Sequence, residues 1–283
     1  MQRSSLAVFI LFAAGTGAFA QAKAPARPSF PAAPSFPAAP SFPRAASMPR
    51  ASSDARATAV ADRVMDALGG KAAWDATRFL RFGFGSERDG KYMGRTHTWD
   101  KFTNRYRVEG DTRDGMRFVI LMNLDTKEGA AWLGGKPMEG EELKKQLERG
   151  YGMWVNDTYW LLMPYKMKDA GVILSYAGEE KGESGAMYDK VKLTFDNVGL
   201  TPRDAYWVWV NRDTGMVDRW DFVLKGEAVP PTTFLWTGWK KYGGIMLAGE
   251  RVNPAENRKL LLPDIAVLES VPDAVFTSPD PIG

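Results

Sequence analysis

Arg78-Phe79-Leu80-Arg81-Phe82-Gly83-Phe84-Gly85-Ser86-Glu87-Arg88-Asp89-Gly90-Lys91-Tyr92-Met93-Gly94-Arg95-Thr96-His97-Thr98-Trp99-Asp100 reads as two strands around one tight turn. Leu80, Phe82 and Phe84 alternate with small or charged residues, the period of a strand that buries one face. Asp89-Gly90 supplies the pair that tolerates the left-handed backbone of a two-residue hairpin, and Tyr92–Asp100 returns as the second strand. In that return Met93, Arg95, His97 and Trp99 share one face, while Gly94, Thr96 and Thr98 take the other. A guanidinium and the chain's single histidine therefore lie beside two apolar side chains. If that face is concave, Arg95 can meet a carboxylate, a phosphate or an ester carbonyl inside an apolar cup. If it is convex, both residues are ordinary surface.

The same period extends outward. Asn104–Glu109 and Met116–Asn123 form a second hairpin with its turn at Asp111–Gly115. Further strands are predicted at Val172–Tyr176, Met187–Phe195, Tyr206–Val210, Val217–Lys225, Thr232–Lys240, Ile245–Val252 and Leu260–Leu268. Asn211-Arg212-Asp213-Thr214-Gly215 and Tyr242-Gly243-Gly244 have the composition of hairpin turns. Helical spacing is found in three places. Thr58–Leu68 places Val60, Val64, Met65 and Leu68 on one face and stops at Gly69-Gly70. Gly140–Arg149 reads as a charged amphipathic helix. Asn156–Met163 reads as a short apolar helix capped by Asn156 or Asp157 and ended by Pro164.

The expected fold class is mainly β (α+β): an incomplete antiparallel β-barrel of about ten to eleven strands, paired with their sequence neighbours. A sheet of that width curls, and an N-terminal helix and a mid-chain helical insertion are placed to cover its concave face. The space between sheet and cover is either core or pocket.

Met1–Ser5 carries Arg3, Leu6–Ala20 is apolar and rich in small residues, and Ala18-Phe19-Ala20 fits a cleavage site, so residues 1–20 are predicted to be a secretory signal peptide. The run is shorter than the roughly 20 residues a spanning helix needs, and no later stretch is better, so a membrane-spanning helix is not expected. Residues 21–56 are rich in Pro, Ala and Ser, with Pro28-Ser29-Phe30-Pro31-Ala32-Ala33 recurring at Pro34–Ala39 and in part at Pro40–Pro43. Such proline density excludes helix and central strand; the tract is either a disordered linker or an arm offering Phe30, Phe36 and Phe42 to a partner. Residues 57–274 suffice for one sizeable domain, leaving 275–283 as a C-terminal tail. The chain has no cysteine, which excludes disulfides, thiol catalysis and the lipid-bearing cysteine of an anchored lipoprotein. Ten Trp imply a large aromatic core; a net charge of +3, with several basic residues in the tract before the domain, is weak evidence for an acidic partner, and no nucleic-acid partner is expected.

The signal, the helix ending in Gly-Gly, the long meander and its helical interruption together resemble the periplasmic Lol-type lipoprotein carriers, over roughly Ala57–Ala274. Two stretches carry the likeness to exported proteins of that broad group. They are Asn156-Asp157-Thr158-Tyr159-Trp160-Leu161-Leu162-Met163-Pro164-Tyr165-Lys166, and Tyr206-Trp207-Val208-Trp209-Val210-Asn211 running to Asp218-Arg219-Trp220. The resemblance implies an apolar cavity between half-barrel and helices that holds acyl chains, and a lipid or acylated lipoprotein as ligand. Aromatic and Met side chains suit a pliable lipid site. The candidate ligand-binding residues are Phe82, Arg95, His97, Phe118, Met122, Trp154, Trp160, Leu161, Trp207 and Trp236.

Signals for enzyme chemistry are weak. A single His leaves only His97 as a base, no Gly-x-Ser-x-Gly elbow accompanies it, and histidine metal spacing is impossible. The Asp-rich turns lack calcium-loop register, and the Gly-Gly pairs fall at a helix end and in hairpins rather than in a phosphate or dinucleotide loop. Asp218 with Asp221, or Glu179 with Glu180, could serve as paired acids, although an Arg219–Asp221 surface pairing accounts for Asp221 without catalysis. No catalytic residue, metal or cofactor is expected. An outer-membrane barrel is disfavoured because Lys101, Arg105, Arg107, Asp189, Lys190 and Lys192 put charges on both strand faces. The expected function is a periplasmic carrier or sensor of a lipid-like ligand. The alternative is a non-enzymatic envelope assembly protein that binds a partner through its sheet edge and its Pro/Phe-rich arm.

Overall fold

The computed structural model describes residues 52–88, 91–196, 198–227 and 229–282. The expected signal peptide, the repeats and the Asp89-Gly90 turn lie outside the described residues. The first element, α1 (Ala55–Ala67), begins at Asp54, whose carboxylate accepts from the backbone N–H groups of Arg56 and Ala57 and so caps the helix. Its apolar face, Ala57, Val60, Ala61 and Val64, is buried together with Leu68. Burial of a valine or leucine side chain of this kind contributes about 1.5–3 kcal/mol. A short α2 (Gly70–Ala76) follows, in a stretch without strong periodicity.

Fourteen strands among the described residues form one antiparallel sheet built from two meanders. The first comprises β1 (Phe79–Arg88), β2 (Lys91–Asp100), β3 (Arg105–Asp111), β4 (Arg117–Asn123), β5 (Gly129–Leu133) and β6 (Lys136–Pro137). The second comprises β7 (Val172–Lys181), β8 (Met187–Phe195), β9 (Ala205–Asn211), β10 (Val217–Val223), β11 (Thr232–Tyr242), β12 (Ile245–Asn253) and β13 (Arg258–Leu261). Strands within each meander pair with their sequence neighbours, and the two are joined by β1 against β13. β14 (Ala266–Leu268) pairs with the start of β1, beyond a break at Pro263. Gly83 makes that break possible. A side chain there would meet the Pro263 ring at 2.7 Å, and the Gly83 N–H donates instead to the Pro263 carbonyl at 2.7 Å. The sheet is open, ending at β6 and β7. The sequence undercounted its strands because β5 and β6 are short and Leu260–Leu268 is two strands rather than one.

The helical insertion is also different from expectation. The two predicted segments are one continuous helix, α3 (Gly140–Leu162), followed by a 3-10 turn over Met163–Lys166. Asn156 and Asp157 therefore stand inside a helix instead of capping one. Residues of the C-terminal tail pack back on the sheet. Val275 and Phe276 of α4 (Ala274–Thr277) pack on Phe79, and the buried Arg107 donates to the carbonyls of Val275, Ser278 and Asp280. At the other end, the first half of edge strand β7 is already bonded: Asp54 N–H donates to the Leu174 carbonyl, and Leu174 N–H donates to Ser53 Oγ.

Candidate functional site beneath the mid-chain helix

The face of β2 that carries Arg95 and His97 is the inner one, toward α3. Phe82, opposite His97 in register, stacks on its ring at 4.6 Å between centroids, and both are 0% exposed. On α3, Asp157 is also 0% exposed and meets Arg95 through two bonds, from Nε to Oδ2 at 2.6 Å and from Nη2 to Oδ1 at 2.7 Å. This is the two-pronged geometry that a guanidinium offers a carboxylate. His97 Nε2 lies 2.9 Å from the same Oδ2, off the line of a straight hydrogen bond. On its other side, His97 Nδ1 is 2.7 Å from the hydroxyl of buried Tyr106. With the imidazole proton on Nε2, toward the carboxylate, Nδ1 accepts from the Tyr106 O–H.

These contacts set the charges. Burial works to raise the Asp157 carboxyl, but Arg95 and His97 outweigh it and hold it below the usual carboxylate range. Burial lowers His97, against the pull of Asp157, so the imidazole is neutral where a free histidine would begin to protonate. Burial pushes Tyr106 well above a free phenol. An ionised acid, a neutral base and a hydroxyl in line would suit a proton relay, but Tyr106 is only 1% exposed. What the arrangement does here is fasten α3 to the sheet.

A second fastening lies further along the same helix. Pro164 has no N–H to give the carbonyl four residues back, that of Trp160. Arg251, on the inner face of β12 and 0% exposed, supplies the missing donor: its Nε and Nη2 reach the Trp160 oxygen at 3.0 and 2.6 Å. Its Nη1 donates to the carbonyls of Ala248 and Glu250, and the guanidinium sits 3.4 Å from the centre of the Trp236 ring. Burial pushes Arg251 well below the ordinary arginine value.

The candidate residues fall into two groups around these fastenings. Phe82, Arg95, His97, Phe118 and Met122 line the inner face of the first meander, and Trp154 reaches them from α3, edge-on to Trp99 at 5.6 Å. Trp160, Leu161 and Trp236 belong to the second group, where Trp160 meets Trp220 at 4.7 Å and Phe234 at 5.0 Å, both edge-on. Trp207 belongs to neither. Its neighbour Tyr206 packs inward on Trp220, so alternation turns Trp207 to the outer face, where the Lys192 ammonium lies 5.3 Å from its ring. Beneath the helix, where a continuous opening was expected, these side chains pack against one another. Two surface clefts, about 330 Å³ at Arg56, Arg63, Asp189 and Arg212 and about 280 Å³ at Lys240, Tyr242 and Pro263, lie elsewhere.

The sequence reading missed the roles of Asp157, Tyr106, Trp220 and Arg251. Arg251 had a usable signal, since it continues the Ile245, Leu247, Gly249 face of its strand. Asp157 was seen but taken for a cap, as its residue type invites.

No protein-family model and no curated protein matches the chain. Among solved structures the fold is similar to a DUF1329 family protein from Desulfovibrio piger, at 14% identity over 78% of this chain and 96% of that one, TM-score 0.44. It is similar also to a domain named for outer membrane lipoprotein sorting from Vibrio parahaemolyticus, at 10% identity over 70% and 87% of the two chains, TM-score 0.38. A third likeness is to the MucA/MucB complex of Pseudomonas aeruginosa, at 15% identity over 78% of this chain and 60% of that one, TM-score 0.24. At such identities the likeness is one of fold alone.

Proposed function

We propose that this protein is an exported, periplasmic carrier of a lipid-like guest, a free lipid or the acyl chains of a lipoprotein, held between α3 and the inner face of the sheet. One observation supports the reading above the rest: a helix of 23 residues lies across an aromatic and Met-bearing sheet face, tied to it by a few identifiable polar contacts. Apolar side chains between helix and sheet can exchange partners with an acyl chain at little cost, since dispersion and burial are non-directional. The polar ties cannot, so they define the closed state. In this reading the guest enters when α3 lifts, and the interior closes on itself when empty. Phe82, Phe118, Met122, Trp154, Trp160, Leu161 and Trp236 are the side chains that would part; Arg95 and His97 act as the tie.

A staple tests this directly, because the chain has no cysteine of its own. A Cβ at Gly150 on α3 would lie 3.0 Å from Cγ2 of Ile120 on β4, close enough for the I120C/G150C pair to bridge. Lipid retention is then compared by native mass spectrometry for protein purified from its own envelope, oxidised and reduced. Uptake by the reduced form and exclusion by the oxidised form are expected. Equal loading of both forms would end the lifting-helix reading, and a persistently empty wild type would end the carrier itself.

A further inference from the structure

Near its N-terminal half, α3 passes over one cross-strand row in which Phe84, Arg95, Gly110, Phe118 and Leu133 stand directly opposite one another in turn. Gly110 leaves the row without a side chain between Arg95 and Phe118. Above it hangs Arg149 of α3, its guanidinium carbon 5.1 Å from the centre of the Phe118 ring. On the row itself the Arg95 guanidinium carbon lies 5.2 Å from the Phe84 ring.

Two guanidiniums thus share this end of the inner face, and their compensation is unequal. Arg95 spends its fork on Asp157. Arg149 has no carboxylate within 4.0 Å among the described residues, and its contact with a side-chain acceptor is a long one, 3.4 Å to Gln146 Oε1. Its neighbours one helical turn away are Lys145, Gln146, Gly152 and Met153, so α3 offers it no acid either. His97 is neutral by burial and adds no third positive charge. Burial lowers Arg149, and the Arg95 charge lowers it further, so the two guanidiniums repel each other. The rim is open on the hairpin side, where Met93, next along the inner face of β2, is 50% exposed.

We infer that Arg149 receives the acidic head of a single-chain amphiphile, whose chain runs inward along the Phe84–Phe118 row under α3. The inference rests on the carrier reading and names the chemistry of its guest. The aromatic rings on the row make the place unfavourable for a hydrated inorganic ion and favourable for an anion with a tail. Arg95 contributes mainly field, because its Nε–Nη2 fork is already engaged by Asp157.

The test measures binding of dodecanoate and of dodecanol to the full protein and to its Arg149→Gln and Arg149→Lys variants, with inorganic phosphate as competitor. Wild type should prefer the acid on the order of tenfold, the gain from one charge-assisted contact in a partly dry site. Arg149→Gln should lose that preference while binding the alcohol as before, and Arg149→Lys should keep most of it. An unchanged acid preference in Arg149→Gln would overturn the assignment and leave the carrier standing. Displacement of dodecanoate by millimolar phosphate would reduce the place to a plain anion point and overturn the amphiphile. Failure of wild type to bind either chain would remove the carrier reading and this inference together.

Discussion

Under Asp157 the sheet offers α3 a guanidinium and an imidazole for a buried carboxylate, whereas under Trp160 it offers a guanidinium to a backbone carbonyl that Pro164 left without a donor. The first fastening is an ion pair between elements, and its strength depends on both charges being present. The second mends a defect in the helix itself, and the sheet residue serves as the donor that the proline lacks. The two ends of one cover are thus held by chemistry of different kinds, one sensitive to pH and to the loss of a carboxylate, the other to neither.

The comparison can be broken most forcefully at Asp157. Asp157→Ala strands Arg95, whose side chain is only 15% exposed, beside a neutral histidine. Removing one partner of a buried pair costs about 3–5 kcal/mol, to be read from urea denaturation. The double variant Arg95→Met with Asp157→Leu should recover to within about 1 kcal/mol of wild type, because an apolar pair avoids the desolvation cost. If the double variant is no better than the single one, the charges do more than hold the helix.

At the other fastening, Arg251→Met should cost about 2–3 kcal/mol, the loss of charge-assisted bonds to the Trp160 carbonyl and its neighbours. Pro164→Ala restores an N–H four residues after Trp160. In the Arg251→Met background it should recover roughly 1 kcal/mol, and a double-mutant cycle would show the coupling. Additive effects would mean that Arg251 matters for its packing on Trp236 rather than for the orphaned carbonyl.

Acid separates the two holds. The unfolded chain protonates His97 below about pH 6.5, while the buried imidazole protonates only at lower pH, so the unfolded state binds more protons in between. Stability from this residue is therefore full above about pH 6.5 and falls as pH drops, by at most about 1.4 kcal/mol per pH unit. Asp157, held below the usual range, adds its loss only as pH falls below about 4. In His97→Gln the decline between about pH 6.5 and 5 should flatten, and in Arg251→Met it should persist. Equal acid sensitivity in wild type and His97→Gln would place the titration elsewhere.

The smallest effect is expected where α3 comes nearest to β4. Gly150→Ala gains about 1 kcal/mol of helix propensity but brings a methyl within 3.0 Å of Ile120 Cγ2, so the net change should stay within about 0.5 kcal/mol. Gly150→Val should cost about 1–3 kcal/mol by overpacking. Thermal denaturation of both variants would show whether the helix can rise slightly without losing either fastening.

Residue periodicity alone determined much of this protein. The alternation of Leu80, Phe82 and Phe84, the return through Arg95, His97 and Trp99, and the Gly-rich turns fixed the strands, their faces and their sequential pairing, because side-chain direction in a strand is a local property. The same alternation set Arg95 and His97 beside apolar partners. What it could not say was that this face looks inward, since that depends on how β1 meets β13 from the far end of the chain. Nor could it say that Asn156 and Asp157 continue a helix. A carboxylate in that position has a strong local preference to cap, and only Arg95 and His97, brought up from another strand, make it more stable inside the helix and out of water. Trp207 was assigned to the wrong side because an aromatic residue in an apolar strand looks inward by composition, while its parity is set by the pairing of Tyr206 with the interior. Local sequence encodes faces and turns; the partners of buried charge, and whether the space between sheet and helix is occupied, are settled only when distant elements are packed together.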